Sequence, residues 1–246
     1  MTDSAADSAE HIARRKLTLF GVLAVALIAL AYVPLIRTGR MDALGGWAVM
    51  GVMWAPGVAG MLASLIVSRN LRGMGWGLGR PHYLVLAYVL PLLYALPVYG
   101  LVWASGLGTF LPQMWLAETR SDSLSTALVL LLTRGFFFSI ITALGEEIGW
   151  RGLLVPQLAR LTSFRNVWLI SAAVWLAYHV PIIVTTDYRG QGTPLAYSLA
   201  CFAGLVFFDS AIMAWIRLRS GSLWPAAVLH AAHNLFVQGV FDAATG

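Results

Sequence analysis

The chain has 246 residues, of which 59% are hydrophobic and 11% charged, whereas soluble domains carry about a quarter charged residues. The deficit runs along the whole length and excludes a separate soluble domain of ordinary composition. The formal charge of +5 does not point to nucleic acid, because the basic residues are dispersed at the ends of apolar runs, where membrane topology puts them.

A bilayer core about 30 Å thick needs about 20 apolar residues per crossing helix. The pattern therefore predicts an all-α fold, a polytopic transmembrane helical bundle of about seven to eight spans. Residues 1–17 are polar and mixed in charge and read as a cytoplasmic N-terminal segment, and 18–246 as a single membrane-embedded domain. The expected spans are Thr18–Ile36, Leu44–Val67, Tyr83–Ala104, Leu124–Leu144, Val167–Val184, Ala196–Ile216 and Leu223–Phe241. The first lacks a small-residue cleavage site and reads as a retained span. Between the second and third, Gly73, Gly75, Gly77 and Gly79 form a loop with no Lys-Ser/Thr and no preceding strand, so a surface bend is expected rather than a phosphate loop. Cys201, the single cysteine, excludes an intrachain disulfide.

Orientation follows from the basic residues. With the N-terminus inside, eleven of the sixteen Lys and Arg residues fall on the cytoplasmic side and four on the other, with Arg134 inside a span. That bias predicts a cytoplasmic N-terminus; the plasma membrane is the expected location. Arg134 and Asp209, each inside a span, are expected to be structural and to pair.

Ionisable groups inside spans are costly and usually functional. In Gly145-Glu146-Glu147-Ile148-Gly149-Trp150-Arg151-Gly152, two adjacent helical carboxylates point about 100° apart and cannot share one role. Glu147 and Arg151 stand at i and i+4 in the favourable order for an ion pair. Glu146 then faces elsewhere, and a carboxylate in a partly dry site suits general-base work near neutral pH. A charge cluster that merely ends a span is the other reading of this stretch. Further on, Trp175 and His179 share a helix face, where a histidine can serve catalysis or a helix–helix hydrogen bond. In His230-Ala231-Ala232-His233-Asn234, His230 and Asn234 point the same way and make a donor pair for an oxyanion, while His233 reads as structural.

A carboxylate, two histidines and an amide on three spans are the inventory for activating water. Their depths are less consistent: at the helical rise, His230 lies about 11 Å past Leu223 and His179 about 18 Å past Val167, roughly two turns from agreement with Glu146 at the end of its own span.

Glu146-Glu147-x-x-x-Arg151, aromatic-x-x-x-His179 and His230-x-x-x-Asn234, in this order, resemble the CAAX-processing and bacteriocin-processing (CPBP) intramembrane proteases, which include type II CAAX prenyl endopeptidases. Arg151-Gly152-Leu153-Leu154 and Arg219-Ser220-Gly221-Ser222-Leu223-Trp224-Pro225 fit the family as well, so the resemblance covers Gly145–Asn234. It implies Glu146 as the water activator, His179 as its partner on that water, and His230 and Asn234 as oxyanion donors, with Glu147 and Arg151 supporting. Trp175 stands where the family commonly has Phe. The implied activity is hydrolysis of a peptide bond in a membrane-associated protein substrate, prenylated or not, at the lipid bilayer. Two other classes stay open: a proton-coupled transporter, and a non-catalytic bacteriocin-immunity or scaffolding membrane protein. The first is disfavoured because no inverted repeat is visible.

Zinc is the cofactor to consider. Glu146, His179 and His230 would offer one oxygen and two nitrogens, leaving a position for water. Yet no two of them lie close in sequence, and the apolar neighbours of His179 offer no side-chain acceptor for its second ring nitrogen. A metal-free, glutamate-dependent mechanism is the favoured expectation.

Overall fold

The structure is a computed structural model and describes residues 2–189 and 192–246, with side chains from residue 7 onward. Among these the fold is all-helical, with a single isolated bridge between Phe110 and Thr245. Among the described residues, six helical stretches are long and apolar enough to cross a membrane: Asp7–Thr38, Ala43–Ser68, Pro81–Ala104, Leu124–Leu158, Phe164–Thr185 and Leu195–Ser220. They turn large apolar side chains outward, Val25 and Leu101 each at 70% exposure, as lipid-facing residues do. The expected span Leu223–Phe241 is helical from Trp224 to Phe241 but falls outside these six, because His230, His233, Asn234 and Gln238 make it polar. The polar N-terminal residues continue the first helix rather than preceding it.

The chain divides into two compact units. The first comprises the chain up to Leu78 with Leu144–Leu223. It contains α1 (Thr2–Thr38), α2 (Trp47–Ser68), α8 (Phe164–Thr185) and α9 (Leu195–Ser220). The second, Gly79–Ala143 with Trp224–Gly246, contains α3 (Pro81–Ala104), α4 (Met114–Thr119), α5 (Leu124–Leu130) and α10 (Trp224–His233). The helix α6 (Phe136–Glu147) starts in the second unit and ends in the first, where a π-helical stretch Ile148–Leu154 leads to α7 (Val155–Leu158).

The fourth expected span stops at Leu144, before the charges, but the helical path runs on to Leu158. Charges end a span only when they need water. Glu147 and Arg151 neutralise each other within the helix, so the path continues through them. Glycine makes this possible. A Cβ on Gly149 would meet the Pro56 carbonyl oxygen at 2.5 Å, and one on Gly145 the Met53 carbonyl oxygen at 2.8 Å. Both are backbone obstacles, so α2 lies directly on the 145–149 backbone, the small-xxx-small arrangement of close helix pairs in membranes.

The glycine loop is a bend, as expected, with an added task. Arg217, near the end of α9 and buried, donates through Nε to the Arg151 carbonyl at 2.6 Å and through Nη2 to the Gly73 carbonyl at 3.1 Å. Leu223 N–H donates to the Gly75 carbonyl at 2.9 Å. Gly75 sits at φ +86° with the guanidinium where a Cβ would be, so glycine is required there by both conformation and space.

In the second unit the core gathers Ala95, Leu131, Ala232, Leu235, Phe236, Val240 and Phe241. The C-terminal residues are strapped to the loop after α3. Thr109 N–H donates to the Gly246 carbonyl at 2.7 Å, and Trp103 Nε1 to Thr245 Oγ1 at 3.1 Å. Asp209 is buried in the first unit and Arg134 is exposed in the second, so the expected pairing falls across the division into units.

Candidate active site

The first unit holds the carboxylate and the first histidine. Glu146 is 1% exposed, and its Oε2 accepts two indole N–H groups, from Trp175 at 2.9 Å and from Trp150 at 3.3 Å. The π-helical turn after Glu147 carries Trp150 beside Glu146. Local widening of this kind recurs at functional sites because it re-aims side chains. Tyr178 lies buried beside the same carboxylate, its ring edge-on to Trp150, and its main-chain carbonyl accepts the Tyr32 hydroxyl.

Glu147 is committed elsewhere, as its spacing predicts. Arg151 Nη1 donates to Glu147 Oε1 at 2.9 Å, with both side chains buried. Nε and Nη2 of Arg151 have no hydrogen-bond partner among the described residues. Its guanidinium instead lies 4.5 Å from the centroid of the Trp175 ring, which offsets part of the desolvation of a buried cation.

His179 is half-buried one turn beyond Trp175. Its Nδ1 lies 2.9 Å from the Trp175 carbonyl oxygen. A carbonyl only accepts, so Nδ1 carries the proton and Nε2 of the neutral ring is the acceptor. The acceptor that no neighbouring side chain could supply is thus a main-chain carbonyl, one turn earlier on the same helix. Phe202 of α9 and Tyr178 pack against the imidazole, with ring centroids 4.8 and 4.7 Å away. Glu146 touches Trp175 directly, so carboxylate and imidazole are organised around one tryptophan.

The second unit holds the other motif. His230 and His233 are buried on α10, and Asn234 opens the π-helical stretch that follows. Tyr94 of α3 hydrogen-bonds His233 Nδ1 at 2.5 Å, giving this histidine an anchored position in keeping with a structural role. Asn234 Oδ1 accepts weakly from Gln238 at 3.5 Å.

The residues of the zinc set are divided between the units, Glu146 and His179 in the first and His230 in the second. Among the described residues no group of three His, Cys, Asp or Glu side chains is arranged to hold a metal ion.

Trp150 as a donor, Tyr178, Tyr94 and Arg217 were not legible as site residues. Only Trp150 carried a signal, standing at i+4 from Glu146.

A multi-pass helical membrane protein with a buried, indole-bonded glutamate beside an oriented histidine is the class that fold and site define. Residues 128–236 match the family model of Type II CAAX prenyl endopeptidase Rce1-like proteins, so over this stretch, somewhat less than half of its length, the chain is similar to that family. No curated protein matches, and no solved structure does.

Proposed function

We propose that the chain is an intramembrane endopeptidase that hydrolyses a peptide bond in a membrane-associated protein substrate. Glu146 takes a proton from water, and Nε2 of His179 holds that water in place. The resulting hydroxide attacks the peptide carbonyl carbon. His230 and Asn234, by their motif positions, donate to the oxyanion of the tetrahedral intermediate. When the intermediate collapses, the C–N bond breaks and the proton held by Glu146 passes to the leaving amine. Glu147 and Arg151 support the site. No step is routed through a metal.

The observation that carries this reading is the division of labour between adjacent carboxylates: Glu147 is bound to Arg151, while Glu146 is buried beside Trp175, which also orients His179. The motifs fall in both units, so we treat 18–246 as one functional domain and 1–17 as a cytoplasmic segment. The plasma membrane, with the N-terminus inside, is the proposed setting. The test is cleavage of prenylated and unprenylated membrane peptides by the purified chain, with Glu146→Gln as control. Wild type should cleave and Glu146→Gln should be inactive while still inserted and folded. Normal turnover by Glu146→Gln together with loss in Glu147→Gln would mean that the two carboxylates are reversed.

A further inference from the structure

We propose that Trp175, assisted by Trp150, is a positioning residue: the two indoles hold the Glu146 carboxylate by Oε2 and present Oε1 to the reacting water. The inference rests on the function proposed above and extends it to how the base is aimed.

A glutamate side chain ends in a broad, nearly two-fold torsion, so burial alone does not choose which oxygen faces the water. Here the choice is made by two donors. An indole nitrogen can only donate, so both contacts are N–H···O bonds to Oε2. They arrive from different elements, Trp175 from α8 and Trp150 from the π-helical turn, which blocks rotation of the carboxylate in either sense. Both indole bonds are made to Oε2 and neither to Oε1, and Tyr178 is a further buried neighbour of the same carboxylate. The indoles are themselves fixed. Arg151 covers the Trp175 ring at 4.5 Å, and Phe20 and Tyr178 meet Trp150 edge-on at 5.8 and 5.6 Å. A site is held to productive geometry when its supporting residues are locked in this way.

Trp175 acts twice. Its side chain aims Glu146, and its main-chain carbonyl holds the Nδ1 proton of His179. Substitution of the side chain removes the first contact and leaves the second, so the two can be separated by mutation.

The experiment uses the full chain in detergent, with Trp175→Phe, Trp150→Phe and, as control, Trp168→Phe, whose indole donates to the Phe207 carbonyl. Trp175→Phe keeps an aromatic ring and loses the donor. It should lower kcat about 10- to 100-fold with little change in KM, measured at a temperature where the variant stays folded. Trp150→Phe, with the longer bond, should lower kcat less, and Trp168→Phe should not change it. Independently of turnover, the indole N–H resonance of Trp175, identified by its loss in Trp175→Phe, should move upfield in Glu146→Gln, where the acceptor loses its charge. An unmoved resonance overturns the proposal. So does a wild-type kcat in Trp175→Phe when Glu146→Gln is inactive, and that result leaves the proposed function standing. If wild type cleaves no peptide, or Glu146→Gln cleaves normally, the function itself fails and the proposal falls with it.

Discussion

Replacing Glu147 by Gln should act through stability and destabilise the protein strongly. Both partners of the Glu147–Arg151 pair are buried, at 0% and 1% exposure, and the bond is 2.9 Å. Removing one charge from such a pair leaves the other uncompensated, which costs about 3–5 kcal/mol. Two features of the structure put the expectation near the lower end. Glutamine keeps one oxygen as an acceptor, and the Trp175 face still covers the guanidinium. About 3 kcal/mol is therefore expected. Glu147→Gln combined with Arg151→Met removes both charges and should recover at least about half of the loss, since paired apolar replacements of buried ion pairs are near neutral. The assay is a double-mutant cycle on the thermal or denaturant midpoint in detergent, which isolates the coupling between the two residues. Additive losses, with no recovery in the double variant, would refute the reasoning. So would an unchanged midpoint in Glu147→Gln.

Gly149→Ala places a Cβ 2.5 Å from the Pro56 carbonyl oxygen and should cost about 1–3 kcal/mol in thermal stability; a neutral result would show that α2 can withdraw freely. Arg217→Met removes two donors from buried carbonyls and should cost about 2 kcal/mol or more, whereas Arg217→Lys should recover only part because it cannot span both acceptors. Reporter fusions between Ser105 and Asp122 should report the side opposite the N-terminus, and a cytoplasmic signal there would reverse the proposed topology. Peptide cleavage should survive chelation; stoichiometric zinc in active protein, with activity lost on chelation and restored by zinc, would refute the metal-free mechanism.

The sequence by itself determined the class of fold, because apolar content and run length act locally: each run of about 20 apolar residues must satisfy its backbone as a helix in lipid. It also determined the Glu147–Arg151 pair, since i,i+4 geometry is a property of one helix, and the ordered motifs, which fall inside the stretch that matches the family model. Span ends were less legible, because whether a charge stops a helix depends on its partner. Leu124–Leu158 runs through three charges that a hydropathy pattern reads as a boundary. What only the tertiary structure decided are the contacts between residues distant in sequence. Trp175 Nε1 on Glu146, Arg217 on the Arg151 carbonyl, and Tyr94 on His233 each join separate helices. The orientation of His179 was hidden for another reason. Its acceptor is a main-chain carbonyl, a group that every residue carries and that no side-chain pattern marks.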